Sequence, residues 1–250
     1  MHKGVFLLPN MVTLMGMFCG FYSILASVRE EYMAAAIAII VAAVFDALDG
    51  KVARLLNATS RFGMELDSLS DLVCFGVAPA VLFYMWALEP YGKIGWMAAF
   101  IFVACGALRL ARFNVHADGA SSYFSGLPIP AAAGFIASFF IFYNHLLGGE
   151  PPFGGFIVLL GYLLAFLMVS NIRYYSFKDF RHLRRKPFGI LVIILLTFVV
   201  IGSYPEIMLF GIGLVYLISG PVGTLMNRRK PLQKPEHTDG EDHEQKNNGI

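Results

Sequence analysis

Four aspartates interrupt two apolar stretches of this chain, and their spacing is helical. Asp46, Asp49, Gly50 and Ala53 fall at i, i+3, i+4 and i+7 and are followed by Arg54. Two carboxylates therefore share one helical face with two residues too small to obstruct a ligand. Gly63, Asp67 and Asp71 fall at i, i+4 and i+8, again a single face. An ionised side chain in a membrane segment costs roughly 3 kcal/mol on insertion scales, so four of them facing lipid would prevent insertion. The two faces must turn toward each other. Arg54 and Arg61 could neutralise only two of the four charges, whereas hard divalent cations prefer oxygen ligands and could hold all four. Pairs of magnesium ions held by carboxylates stabilise both the attacking and the leaving oxygen when one oxygen displaces another on phosphorus. On that reading Gly50 and Ala53 let a pyrophosphate lie against the helix backbone while Arg54 contacts its oxygens as a bidentate donor. Two other uses of intramembrane aspartates stay open from the residues alone: pairing with Arg for packing, or lining a proton or sodium pathway.

The elements that carry these faces are membrane helices. Of 250 residues, 57% are hydrophobic and only 14% charged, which cannot describe a water-soluble surface. The formal charge of +2 is too small to argue for nucleic acid. Cys19, Cys74 and Cys105 lie in apolar stretches without CxxC pairing and read as buried thiols rather than a disulfide framework or zinc site. Apolar runs of about 17 to 25 residues predict eight spans, at 10–28, 32–55, 62–87, 94–114, 127–147, 153–170, 187–203 and 205–226. Alternating the connections puts all but Arg29 and Lys93 of the 19 Lys and Arg residues on one side, which the positive-inside rule makes cytoplasmic. Both termini then face the cytoplasm. Residues 1–230 read as one transmembrane domain. Residues 231–250 are too polar to repay their ordering entropy and read as a disordered cytoplasmic tail.

The run Asp46-x2-Asp49-Gly50-x2-Ala53-Arg54-x8-Gly63-x3-Asp67-x3-Asp71 resembles the signature of the CDP-alcohol phosphotransferases at all eight of its fixed positions. The resemblance implies a CDP-linked donor, a divalent metal (Mg or Mn, as a pair of ions), an alcohol acceptor and release of CMP. It further implies an all-α, polytopic bundle of about eight spans built on a six-helix core, commonly a homodimer in the cell membrane, with the site open to the cytoplasm. Carried onto this chain, it makes Asp46, Asp49, Asp67 and Asp71 metal ligands and Asp71 also the base for the acceptor hydroxyl. Gly50, Ala53, Arg54 and Gly63 fall on the donor side. Asn10 and Thr13, in a segment similar to the family's PNxxT element, would contact the cytidine; a helix N-cap and first turn explain them equally well.

Three polar islands at span ends bear on the acceptor: residues 109–114, 124–130 and 170–178. They are similar to segments of a subgroup of that family, the membrane-type phosphatidylserine synthases. This likeness implies CDP-diacylglycerol as donor and L-serine as acceptor, with Arg109, Arg112, Asn114, Arg173, Ser176 and Lys178 as candidate acceptor contacts. A guanidinium suits the carboxylate of serine. The arginines could equally mark the cytoplasmic side, and Tyr174 and Tyr175 read as interfacial belt residues. Glycerol 3-phosphate or an inositol phosphate remains an alternative acceptor, although a phosphorylated acceptor asks for more convergent cation. In another class altogether, an ion-coupled transporter would also use aspartates near small residues, but with a midplane site rather than one approaching the basic boundary.

Overall fold

The computed structural model describes residues 7–56, 60–116, 126–148, 154–172, 174 and 204–227. All regular structure among them is helical. α1 (Leu7–Val28) and α2 (Tyr32–Leu55) form a tight hairpin turned by Glu30 at φ 62°. The hydroxyl of Ser23 donates to the Ala35 carbonyl at 2.9 Å, so the buried polar group is satisfied across the pair. The third pass starts as α3 (Arg61–Asp71), capped by Ser60, whose hydroxyl accepts from the Gly63 amide at 3.0 Å. It widens into a π-helical turn at Leu72–Val77, resumes as α4 (Ala78–Phe83) and widens again at Tyr84–Leu88. Pro79 supplies the cause of the first widening, because it lacks the amide that an α-helical turn would bond to Phe75 and its ring crowds that carbonyl.

The stretch from Arg61 to Val115 is 55 residues of nearly continuous helix, far too long for one crossing. It is two passes. Pro90 and Gly92 (φ 54°) break it, and α5 (Gly92–His116) returns beside α3, bringing Asn114 back to Ser68. α6 (Ile129–Leu147), α7 (Gly155–Val169) and α8 (Pro205–Asn227) follow. α1, α2, α6 and α8 are each long and apolar enough to cross a membrane, as is the 61–115 stretch. α7 is the exception to the expected spans. Its 15 residues run between Gly154 at φ 126° and an extended Ser170, a rise of about 22 Å. The expected span at 187–203 lies outside the described residues.

The core is centred on α4 and the central parts of α5, α6 and α7, with Phe75, Leu82, Phe83, Phe102, Ile136 and Leu164 fully buried. Large apolar side chains on the outer faces of α1, α2 and α8 are exposed, as lipid-facing residues are: Phe18, Phe21, Ile37, Val44, Ile212 and Val215 among them. One end of the bundle is tied by aromatic and polar contacts. Trp86 meets Phe140 edge-on at 5.0 Å, Tyr32 donates to the Met85 carbonyl, Tyr91 donates to the Gly154 carbonyl, and His145 meets Glu206 at 3.3 Å. The aspartates lie toward the opposite end.

Candidate active site

α1, α2 and α3 build the site, each from the turns that the alternating topology brings to the same end. One carboxylate oxygen from each of Asp46, Asp49 and Asp67 lies within 4.8 Å of the others. Asp71, one helical turn further along α3, meets the Asp46 side chain. The four residues converge as their helical spacing requires, in two tiers. All four line a small void of about 10 Å³ together with Thr13, Ser70 and Cys74, and only Asp49 and Asp67 also border an open cleft.

The open cleft has a volume of about 270 Å³. Asn10, Thr13, Gly50, Ala53, Arg54 and Gly63 all line it, the complete set that the sequence places on the donor side. Pro9, Ser60 and Met64 complete the wall and were not singled out by the sequence, although Ser60 carries a recognisable N-cap signal before α3. Each small residue has a geometric role. A Cβ built at Gly50 meets no atom within 4 Å, so this glycine opens cleft space rather than helix packing, while one at Gly63 would crowd Ser60 Oγ and Asn10 Oδ1 at 3.1 and 3.3 Å. The Thr13 hydroxyl lies between the Pro9 carbonyl, at 3.1 Å, and the Asp49 carboxylate. Its single proton serves one of them at a time.

Among the described residues no Lys or Arg is within ion-pair distance of any of the four carboxylates. Arg54 folds back, its Nε donating to the Gly50 carbonyl at 2.8 Å, and Arg61 is exposed. Among the described residues, then, no pairing with arginine accounts for the aspartates. An oxygen-rich, partly buried cluster with no contacting Lys or Arg among the described residues has the donor chemistry that a hard divalent cation requires. The residues fit that group.

A seam of small residues fixes the floor. Ser70 donates to the Thr13 carbonyl at 3.3 Å and Cys74 donates through sulfur to the Gly16 carbonyl at 3.2 Å, joining α3 and the π-turn to α1. A side chain at Gly20 would collide with Cys74, reaching its Sγ at 2.7 Å and its Cα at 2.9 Å. Cys74, which the sequence places among buried thiols, is 2% exposed.

The described parts of the three polar islands, distant in sequence, contact one another, and the first of them reaches α3. Asn114 donates to Ser68 Oγ at 3.0 Å, immediately after Asp67 on α3, and Arg112 donates to Asn171 Oδ1 at 3.2 Å. The Gly126 amide donates to the Ile172 carbonyl and the Leu127 amide to the Leu167 carbonyl, both at 2.9 Å. Gly126 has φ 89°, and a Cβ there would strike the Met168 carbonyl, so both conformation and space demand glycine. Arg109 is largely enclosed, within electrostatic reach of Asp71 and Tyr216. Tyr174 corrects the belt assignment: it is 6% exposed, packed against Gly220 and Tyr216 of α8 rather than facing the interface, because the glycine leaves a seat for its ring. Arg173, Ser176 and Lys178 lie outside the described residues, as does Tyr175.

Comparison with known proteins agrees with this geometry. Residues 6–169 match the CDP-alcohol phosphatidyltransferase family profile. The chain belongs to the CDP-alcohol phosphatidyltransferase family. It is 42% identical over 218 residues to a CDP-diacylglycerol–serine O-phosphatidyltransferase of Helicobacter pylori, covering 85% of this chain and 90% of that protein. It is 40% identical over 171 residues to an archaetidylserine synthase of Methanothermobacter thermautotrophicus (67% and 69% covered). A Bacillus subtilis CDP-diacylglycerol–serine O-phosphatidyltransferase is 36% identical over 171 residues (68% and 91% covered). Proteins of the CDP-alcohol phosphatidyltransferase family are generally dependent on a divalent metal, and the Asp46, Asp49 and Asp67 cluster is the acidic group suited to one.

Proposed function

We propose that this chain transfers the phosphatidyl group of CDP-diacylglycerol to the hydroxyl of L-serine, giving phosphatidylserine and CMP. The observation that carries the reading is the open cleft bordered by a carboxylate cluster and walled by the donor-side residues. The serine specificity rests on the relatives named above.

Asp46, Asp49 and Asp67, with Asp71 completing the shell, would hold two divalent ions, Mg or Mn. Such ions supply charge stabilisation to the attacking and leaving oxygens. The chain's own groups do the rest. Gly50 and Ala53 leave the α2 backbone open to the pyrophosphate, and the free end of the Arg54 guanidinium faces its oxygens, while Asn10 and Thr13 border the place for the cytidine. Asp71 takes the proton of the serine hydroxyl, whose oxygen forms the new bond to the lipid-linked phosphorus as the bridging P–O bond to CMP breaks. Arg109, Arg112 and Asn114 stand on the acceptor side, with Arg173, Ser176 and Lys178 assigned there from sequence. The acyl chains stay in lipid beside α1 and α2. The working form is a homodimer in the cell membrane, the site facing the cytoplasm, with residues 1–230 as the catalytic unit.

Incubating the purified protein with CDP-diacylglycerol, Mg or Mn, and serine, glycerol 3-phosphate, an inositol phosphate or ethanolamine in turn, then identifying the lipid by mass spectrometry, tests this. Phosphatidylserine and CMP in equal amounts are expected. A phosphorylated product lipid from glycerol 3-phosphate, with none from serine, would reassign the acceptor.

A further inference from the structure

α1 touches both aspartate-bearing helices at two successive levels, Thr13 and Gly16. At the first, the Thr13 hydroxyl reaches the Asp49 carboxylate of α2, while the Thr13 carbonyl accepts from Ser70 Oγ of α3 at 3.3 Å. At the second, a Cβ built on Gly16 would meet Phe45 Cβ of α2 at 3.4 Å, and the Gly16 carbonyl accepts from Cys74 Sγ at 3.2 Å. Phe45 precedes Asp46, Ser70 precedes Asp71, and Cys74 lies within a turn after it. A helical carbonyl keeps a second lone pair after its own ladder bond, so α1 accepts both hooks and remains helical.

Both donors are buried and stand 3.8 Å apart, lining the void of about 10 Å³ that the four aspartates share. Mutual repulsion of the carboxylates pushes α2 and α3 apart, and lipid offers no polar group to hold them. The two hydrogen bonds from the third pass onto α1 oppose that separation at the level of the ligands themselves. A ligand set held at fixed separation discriminates between ions by size. Mg takes oxygens at roughly 2.0–2.1 Å in near-ideal octahedral geometry, whereas Ca takes them at roughly 2.3–2.6 Å in looser shells.

We infer that Ser70 and Cys74 are positioning residues: by hooking α3 and its π-turn onto the α1 backbone they fix the spacing of the metal ligands, and so select a small divalent ion over a larger one. This inference rests on the metal-binding reading of the aspartates. It gives a role to two polar side chains that face the carboxylates without being ligands, and it makes α1 the spacer against which α2 and α3 are set.

The test is Mn binding to the full chain in lipid nanodiscs, followed by electron paramagnetic resonance, with displacement of Mn by Mg and by Ca. Wild type, Ser70→Ala, Cys74→Ala and Cys74→Ser are compared, and Tm is measured on each metal-free sample. The ratio of Mg to Ca affinity should fall roughly five-fold or more in each alanine variant, Mg binding weakening while Ca binding stays within about two-fold. Cys74→Ser keeps a donor for the Gly16 carbonyl and should recover most of the ratio. A hydrogen bond that only stabilises the fold would lower Tm and leave the ratio at its wild-type value. A wild-type ratio in both alanine variants, or one lost as fully in Cys74→Ser as in Cys74→Ala, overturns the inference. If one alanine variant fails to fold, the other and Cys74→Ser decide by the same ratio. Mn binding by the wild type leaves the metal reading standing whatever the variants do. A wild type that binds no Mn overturns that reading and this inference with it.

Discussion

Gly50 separates what the fold needs from what the proposed chemistry needs. It sits near the end of a 24-residue helix, exposed, with no atom within 4 Å of where a Cβ would be. Glycine at a helical position is less stable than alanine by roughly 0.5–1 kcal/mol, because it loses more backbone freedom on folding. Gly50→Ala should therefore stabilise the protein, and for a chain of this size roughly 1 kcal/mol corresponds to about 2–4 °C in Tm. The cleft it enters is about 270 Å³ and is bordered on the same helix by Asp49, Ala53 and Arg54. Gly50→Leu projects a branched four-carbon side chain into that space, where the pyrophosphate must lie. The apparent affinity for CDP-diacylglycerol should fall at least roughly ten-fold, a loss of about 1.4 kcal/mol, while binding of Mn alone changes little. Gly50→Ala should fall between wild type and Gly50→Leu. Thermal unfolding in nanodiscs, donor KM and Mn titration on the same preparations make the comparison. Wild-type donor affinity in Gly50→Leu would refute the placement of the pyrophosphate. A lower Tm in Gly50→Ala would refute the claim that nothing in the fold requires glycine there.

Asp46→Asn and Asp67→Asn should each abolish transfer and weaken Mn binding while the protein still inserts and purifies, because the amide keeps the size and loses the charge that holds the cation; full activity in either removes the metal assignment. Gly20→Val should destabilise the protein by about 1–3 kcal/mol, since its Cβ meets Cys74 at 2.7 Å, and an unchanged Tm would show that the seam between α1 and the π-turn is not close-packed. Deleting residues 232–250 should leave activity in membranes nearly unchanged, since the segment carries no residue of the site; a severe loss would place a functional element there.

The donor half of the site was legible because its information is local. Asp46, Asp49, Gly50 and Ala53 lie within two turns of one helix, and Gly63, Asp67 and Asp71 within little more than two of another, so the 3.6-residue period projects each set onto one face without knowledge of packing. Charge cost then requires the faces to meet. The span boundaries were legible for the same reason: 32–55 is observed as Tyr32–Leu55, and 94–114 lies within Gly92–His116. The acceptor half depends on tertiary contacts. Tyr216 lies in an apolar run with nothing nearby to distinguish it from a membrane-facing tyrosine, and Tyr174 looked interfacial for the same reason. What marks them is tertiary: Gly220 seats the Tyr174 ring and Tyr216 packs on that ring at 5.5 Å, contacts that the fold alone brings about. The π-turn at Leu72–Val77 had only Pro79 to announce it, and a proline within a span signals a distortion without saying which kind.

The charge balance of the site connects its two halves. Four carboxylates with no contacting Lys or Arg among the described residues make a strongly unfavourable cluster at this depth, so binding of divalent ions should stabilise the packing of α1, α2 and α3 as well as prepare the chemistry. Arg109 is close enough to Asp71 to be felt but makes no direct ion pair with it. That separation suits the proposed reaction. A guanidinium clamped on Asp71 would occupy the carboxylate needed as a base and would have fewer donors left for an acceptor. Standing off from Asp71, it can lend positive potential to the site. The junction of the three polar islands fixes this spacing from behind: Asn114 on Ser68 sets α5 against α3, and Arg112 on Asn171 sets α5 against the segment leading to Tyr174. The proposed donor cleft is thus built within the first three passes, and the proposed acceptor side depends on how later helices are placed against them.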